Sequence, residues 1–352
     1  MSSAESASAG SAPLTVVSCQ DEAAWNAYVE AHRDACGYHL WQWRGIFTGV
    51  FGHEAHYAAA RRDGRIVGVL PLVRFASPLF GRFVVSLPFV NYGGVVADDA
   101  AAADALVAYA GAYTRRCGAT HLELRHDRRR FPALAPKEHK VAMTLALPAD
   151  ADTLWAALDR KVRNQVRKAE KSALTTEVGG RELAADFYHV FCRNMRDLGT
   201  PVYTPRLFEA VLDTFPDRAR IVVVRHEGAP VAAGLTWRYR TRTEVPWASS
   251  LREFNAMSPN NLLYWTILKQ AIAAGSTVMD FGRSTPNEGT YHFKKQWGAE
   301  PTPLCWEYDV ATGTLPDQSP KNPKFQLAIR AWQHLPLAIA NTLGPHIVRA
   351  IP

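Results

Sequence analysis

The sequence predicts an α/β fold with mixed sheets in which one unit is built twice. Two hairpin signals, each followed by a helix that stops at a glycine and then by a short strand, carry that prediction. The first unit has Ala55–Ala60, a turn at Arg62-Asp63-Gly64-Arg65, and Ile66–Leu70. The second has Ile221–Val224, a turn at His226-Glu227-Gly228-Ala229-Pro230, and Val231–Leu235. Apolar runs on either side of a Gly-containing turn read as hairpins. A helix over about 99–117 follows the first hairpin, and one over about 260–274 the second. They end at Gly118 and Gly275, the residue type favoured just past a helix C-terminus. The strands Gly118–Leu124 and Gly275–Phe281 then align, with Glu123 falling where Asp280 falls. Repetition at this long period means two similar domains, because a solenoid repeats every ~20–50 residues. The expected division is a disordered tail over 1–13, domains over 14–150 and 151–315, and a C-terminal segment over 316–352 that returns to the first domain.

The chain has 352 residues, enough for two domains at roughly 150 residues each. Its hydrophobic content of 47% and charged content of 21% are those of an ordinary globular protein. A net charge of +7 favours anionic small-molecule or nucleotide-linked partners. Five cysteines without a C-x-x-C pair argue against a disulfide framework and for a reducing compartment. The Ser/Ala/Gly-rich start lacks the basic and apolar regions of a signal peptide. No stretch supplies the ~18 apolar residues of a spanning helix. The expectation is a cytoplasmic protein, with contact at the inner-membrane surface open. The run around 324–343 mixes Phe325, Leu327, Ile329, Trp332 and Ile339 with Lys324 and Arg330. It fits either an interfacial helix or a helix packed back on the protein.

The richest segment is Asp280-Phe281-Gly282-Arg283-Ser284, followed by Tyr291-His292-Phe293-Lys294-Lys295-Gln296-Trp297-Gly298. A short strand delivers an acid, a glycine, an arginine and a serine to its C-terminal end, where α/β folds place ligands. Aromatics interleaved with lysines suit a flat, anionic partner. Read as an alternating strand, the second block puts Lys294 and Lys295 on opposite faces, with Lys294 toward an inter-domain cleft. Asp152–Lys171 reads as one helix with a stripe of Trp155, Leu158, Val162, Val166 and Ala169. Its other side carries Arg160, Lys161, Arg163, Arg167, Lys168 and Lys171, with Asn164 and Gln165 among them and Asp159 placed to pair with Arg163. So one-signed a face exceeds what solubility needs and suits phosphate, which arginine grips bidentately.

The chain has no P-loop, no Gly-x-Ser-x-Gly and no dinucleotide Gly-x-Gly-x-x-Gly, which disfavours the phosphotransfer, hydrolase and dinucleotide chemistries those motifs serve. The Arg/Gln-x-x-Gly-x-Gly/Ala loop that holds the CoA pyrophosphate is also missing. The histidines are dispersed and no metal site is expected.

Lys161 to Lys171, Pro259-Asn260-Asn261-Leu262-Leu263-Tyr264-Trp265, Asp280–Ser284 and Tyr291-x-Phe293-Lys294-x-x-Trp297-Gly298 together resemble the FemAB-like transferases, in the form associated with exopolysaccharide and exosortase (PEP-CTERM) loci. The resemblance spans most of residues 14–345. It implies tandem acetyltransferase-like (GNAT) domains facing each other. It also implies transfer of an aminoacyl group from tRNA to an amine of a cell-envelope precursor, with no bound cofactor and with aminoacyl-tRNA or acyl-CoA as co-substrate. The lysine of Phe293-Lys294 would lie beside the aminoacyl end, and an arginine, Arg163 or Arg167, would hold a sugar-nucleotide phosphate. Phe47 stands where some relatives carry a lysine, and the coiled-coil arm of some members is missing.

Acyl transfer to an amine needs a neutral nucleophile and stabilisation of an oxyanion. Lys294 is the candidate for the developing charge and Asp280 for proton acceptance or amine positioning. Substrate binding is assigned to Lys161, Arg163, Asn164, Arg167, Asn261, Arg283, Ser284, Tyr291 and Phe293. The rival readings are a CoA-dependent N-acyltransferase of nucleotide sugars and a non-enzymatic scaffold of polysaccharide export.

Overall fold

A computed structural model describes residues 13–77, 81–310 and 323–351, with the side chains of 323–325 left aside. The first part of the chain runs β1 (Thr15–Ser18), α1 (Glu22–Ala31), α2 (Trp43–Phe51), β2 (Glu54–Arg62), β3 (Arg65–Ser77), β4 (Gly81–Val85), β5 (Val96–Ala97), α3 (Ala100–Arg116), β6 (His121–His126) and β7 (Ala135–Ala146). The second runs α4 (Ala151–Ala157), α5 (Arg160–Lys171), β8 (Leu174–Gly179), α6 (Ala184–Asp197), α7 (Pro205–Thr214), β9 (Ala219–His226), β10 (Ala229–Tyr239), β11 (Arg242–Ser250), α8 (Pro259–Ala273), β12 (Val278–Ser284), α9 (Gly289–Gln296) and β13 (Glu300–Val310). Helices α10 (Pro323–Gln333) and α11 (Leu337–Val348) close the chain.

The described strands form one mixed sheet in the order β1-β2-β3-β4-β6-β13-β7-β12-β11-β10-β9-β8, with β5 beside β3. The order reads alike from both edges. Each half has its two hairpin-linked pairs, a parallel crossover through a helix (β4-α3-β6 and β11-α8-β12), and a last strand donated to the other half. Thus β13 pairs with β6, and β7 pairs with β12, while β7 and β13 pair with each other in the middle.

Local chemistry accounts for the repeated parts. Asp63-Gly64 and Glu227-Gly228 all have positive φ, from 50° to 82°. Two successive left-handed residues make the tight hairpin turn that matches strand twist. Asp99 caps α3 by accepting from the Ala102 amide at 2.8 Å, and Gly118 ends it at φ 62°. Pro259 starts α8, and Gly275 follows it at φ 76°. On one face α1, α2, α6 and α7 share a single apolar core that crosses both halves, where Trp43 meets Phe215 and Trp237. On the other face α3 covers the first half and α4, α5 and α8 cover the second.

Three expectations are corrected. The basic helix is two helices, because Leu158 and Asp159 are extended and the Asp159 carboxylate caps α5 at the Lys161 amide, 2.6 Å away. That capping bond takes the place of the expected Asp159–Arg163 pair. Residues 289–296 are helix α9, not a strand. Lys294 and Trp297 are buried three apart and Phe293 packs four from Trp297, a helical spacing hidden because one buried position is a lysine. The C-terminal helices rest chiefly on α6 of the second half and return to the first at their far end, where the Arg349 backbone meets His53. Gly199 lies against Ile329 and Gly344 against Val202, so close that a side chain at either glycine would collide. Arg196 donates to the Leu335 carbonyl and Gln333 to that of Asp197. The start of the 316–352 segment and most of the 1–13 tail lie outside the described residues.

Candidate active site

The parallel strands β11 and β12 pair over three residues only, Arg242–Glu244 with Val278–Asp280, and separate beyond them. At the point of separation β12 bulges, because Gly282 takes φ 72° and its amide turns back to donate to Asp280 Oδ1 at 2.8 Å. A left-handed residue at this place needs glycine. The bulge aims the carbonyls of Gly282 and Arg283 at α9, where Lys294 Nζ donates to them at 3.1 and 2.9 Å. Lys294 is 7% exposed. Burial lowers its pKa to about 8, against the opposing pull of Asp280 and Glu244. An ammonium has three protons to donate, so one remains after these two bonds.

Asp280 is fully buried and takes three donors: the Gly282 amide, the Tyr92 hydroxyl at 2.8 Å and Arg242 Nη1 at 3.1 Å. That arrangement anchors the bulge and holds Arg242, and it leaves little acceptor capacity for a ligand. Arg283 is exposed, with its guanidinium 5.4 Å from the Trp306 ring centre. Ser284 is buried, and its hydroxyl has no partner among the described residues. Phe293 packs edge-on to Tyr264 at 5.1 Å and Tyr291 is half-buried, so both serve the core under α9 as well as its surface. The structure therefore brings Asp280, Arg283, Ser284 and Lys294 together.

The basic set stands apart on α5. Lys161, Asn164 and Arg167 are exposed, and Arg167 lies over the Trp155 ring at 5.5 Å. Arg163 is half-buried with an unpartnered Nε. Gln165 accepts from the Ser258 hydroxyl, which ties α5 to the start of α8, where half-buried Asn261 sits.

The sequence reading missed the contribution of the first half. Residues 86–95, after β4, cross the centre of the sheet. Arg125 Nη1 donates to the Val90 carbonyl at 2.7 Å, Asn91 Nδ2 donates to Glu244 Oε1 at 3.2 Å, and Tyr92 reaches Asp280. Phe89 has φ 66°, a strained value for a bulky side chain and a mark of functional loops. The pair Gly93-Gly94 was the available signal. Gly94 packs under His126, whose Nδ1 meets Glu307 at 2.6 Å and whose Nε2 accepts from the Val95 amide. Gly94→Ala would drive a methyl into that fixed ring. A loss of about 1–3 kcal/mol is expected, read as a lowered urea midpoint.

Beside this loop lies a cavity of about 580 Å³ between the halves, lined among others by Tyr38, Tyr92, Trp237, Arg242 and Glu244. Glu244 is 3% exposed. Burial first, and the neighbouring Asp280 charge second, raise its pKa well above the carboxylate range, against Tyr38 and Arg242.

Residues 156–295 match the family model for an acetyltransferase (GNAT) domain. The match spans the separating strands and Lys294. None of the curated proteins matches this sequence. Among solved structures the chain is similar to FemX, with a TM-score of 0.67 at 17% identity, covering 90% of this chain and 100% of that one. It is also similar to a tandem GNAT protein from the clavulanic acid biosynthesis pathway, with a TM-score of 0.53 at 12% identity over 86% of this chain and 100% of that chain. A third likeness is to the C-terminal domain of a protein assigned as a lysylphosphatidylglycerol synthetase from Agrobacterium fabrum, with a TM-score of 0.50 at 12% identity, covering 70% and 82% of the two chains. The fold is the tandem GNAT fold, and the chain is an enzyme of the acyl- or aminoacyl-transferring class.

Proposed function

We propose that the protein forms an amide by moving an acyl or aminoacyl group onto an amine of a cell-envelope or polysaccharide precursor. One observation carries the reading: the spare proton of buried Lys294 sits where β11 and β12 part. A donor carbonyl entering between the strands would develop its negative charge against that ammonium, the geometry of an oxyanion site. Arg283 and Ser284 would orient the donor or acceptor. The likeness to FemX over 90% of the chain favours aminoacyl-tRNA as donor, and the acetyltransferase model favours acyl-CoA. The two halves are read as domains over 14–150 and 151–315. A cytoplasmic place at the inner membrane is part of the proposal. No helix among the described residues is long and apolar enough to cross a membrane, yet Leu327, Ile339 and Leu343 are 76%, 45% and 46% exposed on α10 and α11.

The test is to incubate pure protein with labelled acetyl-CoA, longer acyl-CoA or lysyl-tRNA and an amine acceptor, following donor loss and amide formation. Consumption of one donor with amide product is expected. Failure to consume any donor overturns the reading.

The phosphates of the donor are assigned to α5, because Arg163 and Arg167 lie on the same side of the sheet as α8 and Tyr264. Charge-assisted bonds are worth roughly 1.5–3 kcal/mol each. Arg163→Ala with Arg167→Ala should therefore weaken tRNA or CoA binding at least tenfold, with a shallower salt dependence and little change in Tm. Calorimetry showing unchanged affinity would remove α5 from the binding surface.

A further inference from the structure

We propose that the outer faces of α10 and α11, with the end of α6 beneath them, dock on an anionic lipid surface. This gives a face to the inner-membrane position proposed above. It rests on that part of the reading and not on which donor is consumed.

Large apolar side chains are seldom left to water in groups unless they bind something. Among the described residues six are exposed: Val17, Val178, Leu198, Leu327, Ile339 and Leu343. The two valines stand apart on β1 and β8, the opposite edges of the sheet. The other four belong to α10, α11 and the residue that ends α6. Those elements touch, because Ile329 of α10 lies on Gly199 and Gly344 of α11 on Val202. The sequence of α11 shows how the face is made. Ala340, Gly344 and Val348 recur every four residues and are buried, while Ile339, Thr342 and Leu343 stay exposed. A helix on the surface normally carries charge on its outer side. Between Leu337 and Val348 there is no Asp, Glu, Lys or Arg. On α10, exposed Arg330 follows exposed Leu327 at helical spacing.

Charge selects the occupant. Residues 323–352 hold Lys324, Arg330 and Arg349 and no Asp or Glu, in a chain that carries 33 of those acids. The nearest acids at the end of α6 are already paired, Asp197 with Arg196 and Glu253 with Arg193. The corner is therefore both apolar and cationic. A second copy of the chain meeting it about a two-fold axis would bring the same positive charges against it. An anionic bilayer accepts both features: leucines and isoleucine enter the acyl boundary, and arginines stay among the head groups. Helices of 11 and 12 residues are too short to span, so the contact is with one leaflet.

The experiment mixes the full chain with vesicles of phosphatidylcholine containing phosphatidylglycerol, or of phosphatidylcholine alone, and reads the bound fraction by co-sedimentation. Binding to the anionic vesicles that weakens with added salt is expected, with little binding to phosphatidylcholine alone. Arg330→Gln with Arg349→Gln should weaken it about 25-fold, since each cation near an anionic surface is worth about five-fold. Leu327→Asn with Leu343→Asn should weaken it about tenfold or more through lost apolar burial. Val178→Asn, also exposed but on β8, should leave it unchanged. All are checked for an unaltered urea midpoint. Absence of wild-type binding to the anionic vesicles, or an equal loss in Val178→Asn, overturns the docking. A dimer that Leu327→Asn with Leu343→Asn dissociates, without vesicle binding, assigns the face to a second copy and overturns it too. Donor consumption with a soluble amine is followed in parallel. Transfer without docking leaves the acyl-transfer reading standing, and docking without transfer to any acceptor removes that reading and leaves this one.

Discussion

Lys294→Met is expected to lower kcat by about two orders of magnitude, the scale of losing one oxyanion donor, while donor affinity stays intact. The ammonium contributes where charge develops and little before, so the loss belongs in kcat rather than KM. Burial lowers the Lys294 pKa to about 8. Activity that depends on the charged form should therefore fall as pH rises through about 8, and this falling limb should vanish in Lys294→Met. Stability moves the other way. Between the folded value near 8 and the ordinary lysine value of 10.5, the unfolded chain holds more protons, so stability rises with pH across that window. Lys294→Met relieves a buried charge but leaves the Gly282 and Arg283 carbonyls without their donor, a penalty of about 1–3 kcal/mol each, so the loss in kcat is compared at equal folded fraction. Lys295 is exposed, 6.0 Å from the Tyr291 ring centre, and Lys295→Met should be nearly silent. Equal losses at the two lysines would show that the segment serves only the fold.

The contrast between these lysines was legible in the sequence, but for the wrong reason. An alternating strand and a helix both put adjacent side chains in different places, but the strand reading set Lys295 with Tyr291 and Phe293 on the core side, whereas in α9 it is Lys294 that is buried and Lys295 exposed. Binary patterning fails where an amphipathic side chain is buried by its charged end, as Lys294 is at the Gly282 and Arg283 carbonyls. The hairpins and the parallel crossovers were legible because their signals are local: two left-handed turn residues, a cap and a glycine stop. The exchange of β7 and β13 between halves was not, since the pattern of a strand says which face is apolar and nothing about its neighbour. The site is legible only in its β12 and α9 parts for the same reason. Asn91 and Glu244 meet from positions 153 residues apart, and Tyr92 and Asp280 from 188.

That long-range pairing sets the second large effect. Asp280→Ala should cost about 3 kcal/mol of stability, near the lower end for breaking a buried ion pair. The mutation removes one acceptor from three donors. The Tyr92 hydroxyl and the Gly282 amide lose a partner inside the protein, each a penalty of ~1–3 kcal/mol, whereas Arg242, 46% exposed, can turn partly to water. The bulge and the 86–95 loop are both held by this carboxylate, so the damage should reach both halves at once. Hydrogen exchange should rise at Gly282 and across residues 86–95 together, and the urea midpoint should drop without a change in slope. Asp280→Asn keeps an acceptor for one of the donors and should lose less stability than the alanine. If Asp280 instead exchanged protons with substrate, asparagine would be as inactive as alanine while remaining as stable as the wild type. A fall in stability shared by both variants and graded with the acceptors lost marks Asp280 as the post on which the first half's loop is hung.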